Sequence, residues 1–277
     1  MPPFRGPTPV RPIYYFGNKK SNTILVQMVE RHQVRFIDKE MAMIRELAGT
    51  DDFLLACVRV IDWNEDLTPW VAPGIFGNSD FSGLAPHTLD YLLQEMIPEI
   101  IRERARAVSG EIAPFSDFSS LFPPISGSTH HDPEYSPHSE DTFSEISSES
   151  SVRFFLGGYS LAALFCLWTA YQTDTFSGIA AASPSLWYPN FIEYMEDNQI
   201  LTDAVYLSIG TKEESIRNHV MSRVGDGIRA ADKILSRQGI LNTLEWNPGK
   251  HFQDQEKRTA MGFAWLLKNR IAWTLLD

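Results

Sequence analysis

Apolar positions along this chain fall into short unbroken runs that alternate with longer stretches at helical spacing. "NTILVQMV" reads as a buried strand, and "FIDKEMAMIRELAG" after it reads as an amphipathic helix closed by Gly49. "FLLACVRVI" is the next strand, followed by the polar and aromatic loop "DWNEDLTPWVAPGIFGNSDFSG". Leu89, Leu92, Met96, Ile97 and Ile100 then recur three and four apart, which predicts a helix over about His87 to Arg106. Past residue 151 the alternation resumes. "VRFFLGG", "FSGIAAAS", "AVYLSIG" and "NTLEWNPG" read as strands. Between and after them lie helices over Leu161 to Gln172, "FIEYMED", "HVMSRVGDGIRAADKILSRQG" and Lys257 to Leu275. Strands separated by helices imply right-handed crossovers and a mostly parallel sheet covered on both faces, a three-layer α/β sandwich. No internal repeat interrupts the pattern.

One stretch departs from it. Residues Glu111 to Ser151 hold twelve serines and eight acidic residues with no lysine or arginine, and their apolar positions keep no period. Such a composition buries too little surface to offset its chain entropy, so it is expected to be a disordered insertion within a single domain spanning 1–277. It carries eight of the eleven net negative charges, leaving the rest nearly neutral. Nothing in the charge suggests a nucleic-acid partner, and no basic stripe is present. His130, His131 and Asp132 sit inside the insertion, where a solvated loop explains them better than a metal site. No other Cys/His spacing suggests a metal, and no glycine-rich phosphate loop suggests a nucleotide, so no cofactor is expected. Cys57 and Cys166 lie in apolar runs and read as buried free thiols. The proline-rich start has no apolar signal region and no apolar run reaches membrane-spanning length, so the expected setting is cytoplasmic. The sequence does not speak to oligomeric state.

The chemistry concentrates at "FFLGGYSLAALF", where a strand breaks at two glycines, presents Ser160 and resumes as a helix. Gly158-Tyr159-Ser160-Leu161-Ala162 matches the nucleophile-elbow pattern G-x-S-x-G except that Ala162 replaces the last glycine. The plainer alternative is that Ser160 only caps the helix that follows. A serine alcohol needs a histidine to take its proton and a carboxylate to orient that histidine, and on this kind of fold they follow in the order serine, acid, histidine at strand ends. "LEWNPGKHF" sets His251 just after the last strand, and "YLSIGTKEE" sets Glu213 and Glu214 just after the one before it. Glu213 is the favoured acid, with Glu214 and Asp226 as alternatives. Leu161, next to the nucleophile, is expected to give one oxyanion-hole N–H. The other is expected from the loop after "ILVQMV", at Met28 or Val29. Trp63, Asn64, Trp70 and Trp187 are candidates to line a substrate pocket, with core packing as the alternative for each tryptophan.

"GGYSLAALFCLWTAYQTDTFSGIAAASPSLWYP" resembles the elbow region of the esterase D and enterochelin-esterase-like branch of the α/β-hydrolases, in which the next strand ends in S-P-S-x-W. The resemblance implies an α/β-hydrolase fold and a cofactor-independent serine hydrolase of small-molecule esters or thioesters. An acyltransferase using the same triad, or a non-catalytic binding protein on the same fold, are the other readings. At the strand before the second oxyanion donor the branch has a His-Gly pair where this chain has Gln27-Met28.

Overall fold

The computed structural model describes residues 11–75, 79–110, 152–215 and 218–273. The expected insertion at 111–151, including His130, His131 and Asp132, lies outside the described residues. The main sheet has seven strands: β1 (Ile13–Gly17), β2 (Thr23–Val29), β3 (Leu54–Arg59), β6 (Arg153–Tyr159), β7 (Phe176–Ala182), β8 (Ala204–Gly210) and β9 (Leu241–Asn247). Their spatial order is β1-β3-β2-β6-β7-β8-β9. Every neighbour pair is parallel except β1 with β3. A separate two-residue pair, β4 (Val71–Ala72) with β5 (Phe81–Ser82), lies within the aromatic stretch read as loop.

The helices are α1 (Ile37–Ala48), α2 (Trp63–Asp66), α3 (Ala85–Tyr91), α4 (Ile97–Ser109), α5 (Leu161–Thr169), α6 (Phe191–Asp197), α7 (Val224–Arg237) and α8 (Gln255–Trp273). A π-helical turn over Leu92–Met96 joins α3 to α4, so the helix predicted over 87–106 is one rod with a widened middle turn. Side chains alternate along β2 as the pleat requires. Ile24, Val26 and Met28 join one apolar core with α3 to α7, while Leu25 and Val29 join another with Met41 and Ile44 of α1 and Phe263 and Leu266 of α8. The two cores are the two faces of one sheet, which makes the expected three layers. Cys57 and Cys166 are buried free thiols, and burial pushes both well above their ordinary range. Among the described residues no helix is long and apolar enough to cross a membrane, and no group of His, Cys, Asp and Glu could hold a metal ion.

β6 occupies the middle of the sheet, between β2 and β7, so residues at its exit sit over the centre of the molecule. Its two glycines are there for space. A Cβ on Gly157 would fall 2.5 Å from the Phe263 ring, and one on Gly158 would fall 2.7 Å from the Cβ of Ala162. The bare backbone lets α8 pack on one face of β6 and lets α5 start directly against the other.

Candidate active site

The chain leaves β6 through Ser160 at φ 61 and ψ −120, a backbone state that L-residues avoid at a cost of about 1–3 kcal/mol. Neighbouring elements hold it there. The Ser160 N–H donates to Ala182 O at 3.1 Å, and its carbonyl accepts from Leu164 N–H at 3.0 Å and Ser185 N–H at 3.2 Å. Ser160 stands at the N-cap position of α5, yet its side chain makes no capping hydrogen bond. The hydroxyl faces away, with Oγ 2.9 Å from His251 Nε2 and 3.3 Å from Ser185 Oγ. The helix-cap alternative is therefore set aside by the direction of the hydroxyl.

His251 lies in the turn after β9, and its Nδ1 is 2.6 Å from Glu213 Oε2. Glu213 lies in the turn after β8 and is buried. Its other oxygen, Oε1, accepts from Gly210 N–H at 2.7 Å, from the Ser183 hydroxyl at 2.9 Å and from Arg258 Nη1 at 2.7 Å. Burial pushes this carboxyl up, but the hydrogen bond and charge of His251, the Gly210 N–H and the Ser183 hydroxyl together hold it below the usual carboxylate range. It is ionised at neutral pH. Glu214 turns the other way, to Arg229 at 2.8 Å, and Asp226 meets the same arginine at 3.3 Å from an exposed helix surface. Of the three carboxylates considered from sequence, only Glu213 reaches His251.

Four residues the sequence did not single out complete the assembly. Arg258 of α8 is fully buried, and besides Glu213 its guanidinium reaches Tyr159 Oη at 3.0 Å, Ser183 Oγ at 3.1 Å, Lys250 O at 3.0 Å and Pro248 O at 3.3 Å. Tyr159 donates its hydroxyl to the His251 carbonyl at 2.5 Å, and burial pushes that phenol up to about 12, so it stays a donor. One buried cation thus ties the acid, the histidine loop and the residue before the nucleophile. Ser183 and Ser185 come from the S-P-S run that closes β7, whose motif was visible without a role. Tyr159 was visible only as the spacer of the elbow, and Arg258 in an amphipathic helix gave no signal.

The remaining expectations fare unevenly. Leu161 is the first residue of α5, so its N–H has no intrahelical acceptor. Met28 and Val29 are not in a loop: both belong to β2, opposite Val58 and Arg59, and the Val29 carbonyl accepts from Val60 N–H at 2.8 Å. The loop begins at Glu30, whose N–H is taken by Gln33 Oε1 at 2.8 Å. Trp70 packs among Tyr188, Phe191 and Tyr194 and donates its indole N–H to Pro189 O at 3.0 Å, which makes it a packing residue. Trp63 opens α2 and packs on the core, and Asn64 is exposed beside it. Trp187 is half-buried against Phe81 and lies two residues beyond Ser185.

No protein-family model and no curated protein sequence matches this chain. Solved structures do. An IroE-like serine hydrolase from Shewanella oneidensis superposes with a TM-score of 0.62 at 15% identity, covering 94% of this chain and 76% of that one. The two share the α/β-hydrolase fold. The siderophore hydrolase EstA from Aspergillus nidulans shares the same α/β-hydrolase fold, with a TM-score of 0.56 at 14% identity over 95% of this chain and 98% of that one. The enterobactin esterase FES from Shigella flexneri gives 0.55 at 13% identity over 96% of this chain and 56% of that one.

Proposed function

We propose that this chain is a serine hydrolase of small-molecule carboxylic esters or thioesters. The observation that supports it best is the continuous contact from Ser160 Oγ through His251 to a buried, ionised Glu213, set at a strained strand-to-helix turn. In this reading His251 Nε2 takes the Ser160 proton as Oγ attacks the ester carbonyl. Glu213 keeps the other ring nitrogen protonated and stabilises the imidazolium. The Leu161 N–H and a donor from the β2 exit, at Met28 or Val29, receive the developing oxyanion. Collapse expels the alcohol or thiol with the proton from His251. Water, activated by the same histidine, then releases the acid from the acyl-enzyme. Trp187, two residues beyond Ser185, is the aromatic residue this reading assigns to the substrate pocket.

A serine-reactive phosphonate and a panel of short and long acyl esters, thioesters and siderophore esters test the reading. Siderophore esters are included because EstA is named a siderophore hydrolase and FES an enterobactin esterase. Labelling and turnover that both vanish in Ser160→Ala are expected. A folded protein that neither labels nor turns over any of them would instead be a binding protein on this fold.

A further inference from the structure

Below the His251 turn, on the face covered by α1 and α8, lies a cavity of about 250 Å³. Gln27 of β2, Glu40 of α1, Glu256 of α8 and the rings of Phe36 and Phe252 contribute to its lining, and no lysine or arginine is among its lining residues. Phe252 is 80% exposed and stands edge-on to the His251 ring, with centroids 5.0 Å apart, so the cavity adjoins the candidate active site. Glu40 is the unusual member. It is only 3% exposed, its Oε2 accepts from Gln27 Nε2 at 3.3 Å, and its Oε1 is buried with no hydrogen-bond partner. Glu256 already has a partner in Lys39 at 2.5 Å.

An unpaired buried carboxyl oxygen is a rare and costly feature unless something donates to it. Around it the only ionisable lining groups besides His32 are acids, and the Phe36 and Phe252 rings form part of the wall. That set favours a positive charge with a short apolar body: the charge gains a charge-assisted hydrogen bond and ring contact, and the body fills the space between the rings. An anion would meet the Glu40 and Glu256 carboxyl groups, with Lys39 already paired to Glu256 and Arg35 lying over the Phe36 ring outside the lining. We propose that this cavity binds a small organic cation, a primary ammonium or guanidinium on a short carbon chain, with its head on Glu40 Oε1 and its chain against Phe36 and Phe252.

The proposal does not rest on the hydrolase reading, and its test reads binding alone. Calorimetric titration of the full chain with n-butylammonium and n-butylguanidinium, with n-butanol as neutral control, is expected to give saturable binding of both cations and none of the alcohol. Glu40→Gln, which keeps the shape, should weaken the cations at least tenfold. Phe252→Ala should weaken them several-fold, and it removes only an exposed ring, so it serves if the buried variant folds poorly. Ser160→Ala should bind as the wild type does. Burial and the nearby Glu256 hold the Glu40 carboxyl up to about 8 against the opposing Gln27 hydrogen bond, and the other groups around it are the Cys57 thiol of β3 and His32. A cation seated there should draw off its proton, so the binding heat at pH 7 should depend on the buffer's ionisation enthalpy. Absence of saturable binding up to millimolar cation, equal binding of the alcohol, or undiminished binding by Glu40→Gln would overturn the proposal.

Discussion

Ser160 can hold its φ of 61 because its neighbours give up volume on both sides. Ala162 is the departure from the elbow pattern, and its methyl occupies the space that Gly158 leaves empty. Gly158→Ala should therefore destabilise the fold by about 1–3 kcal/mol and slow phosphonate labelling, read by denaturant unfolding and labelling rate. Adding Ala162→Gly should restore only part of the loss, since the new Cβ also lies 2.9 Å from the Ala162 backbone carbon. Full restoration would mean that the methyl pair alone sets the packing. The two adjacent glutamates make a sharper comparison. Under the proposed mechanism Glu213→Gln removes the charge that stabilises the imidazolium while keeping the contact with His251. It should lower kcat by about two or more powers of ten with a smaller effect on KM. Glu214→Gln breaks only an exposed pair with Arg229 and should be nearly silent. Equal effects at both positions would count against Glu213 as the acid.

At the scale of elements, α8 has two tasks that its sequence pattern only half reveals. Phe263 and Leu266 cover the sheet, as their spacing suggests, but Arg258 near the helix start turns inward and holds the turns after β8 and β9 and the end of β6 at once. Replacing it with Met leaves the buried Glu213 carboxylate without its guanidinium, and breaking a buried pair in this way costs about 3–5 kcal/mol. A carboxylate relieved of its guanidinium should hold the imidazolium proton more tightly, so the acid limb of the kcat/KM profile should move to higher pH. A merely structural arginine would lower stability and leave that limb in place. Arg258→Lys should recover part of the stability, having the charge without the planar fork. Five strands of the main sheet were legible as largely apolar runs buried on both faces, whereas β9, a partly covered edge strand, was legible from its place in the alternation of strands and helices. β1 was not: Ile13–Gly17 follows prolines, lies on the sheet edge and is only partly covered, so its apolar residues carry no period. α2, β4 and β5 are too short to show one. Ser160, Glu213 and His251 could be read from their order at strand ends, whereas Arg258 could not. An arginine among Glu256, Lys257 and Thr259 looks like the wet side of a helix until the fold shows which way it points.

For the molecule as a whole, the buried Glu40 carboxyl sets a slope of stability against pH. The folded protein keeps its proton up to about 8, while an unfolded chain loses it from about 4.5 upward. Raising pH through that window therefore favours unfolding, and the disadvantage is complete above the upper value, on the order of a few kcal/mol. Glu40→Gln cannot titrate. Its melting temperature relative to wild type should climb between pH 5 and 8 and then level off, and a gap that stays constant across that range would refute the assignment. Comparing the two proteins at each pH cancels the opposite slope of Glu213, whose depressed carboxyl acts at lower pH. The spread of the candidate site along the chain has a consequence in time. Ser160 precedes His251 by 91 positions, and Arg258 comes later still. At a synthesis rate of about 5–20 residues per second, the serine leaves the ribosome roughly 5–20 s before the imidazole that would activate it. During that interval the nascent chain carries an ordinary alcohol. A serine-reactive probe added to translating ribosomes should accordingly mark released, folded protein and pass over the growing chains.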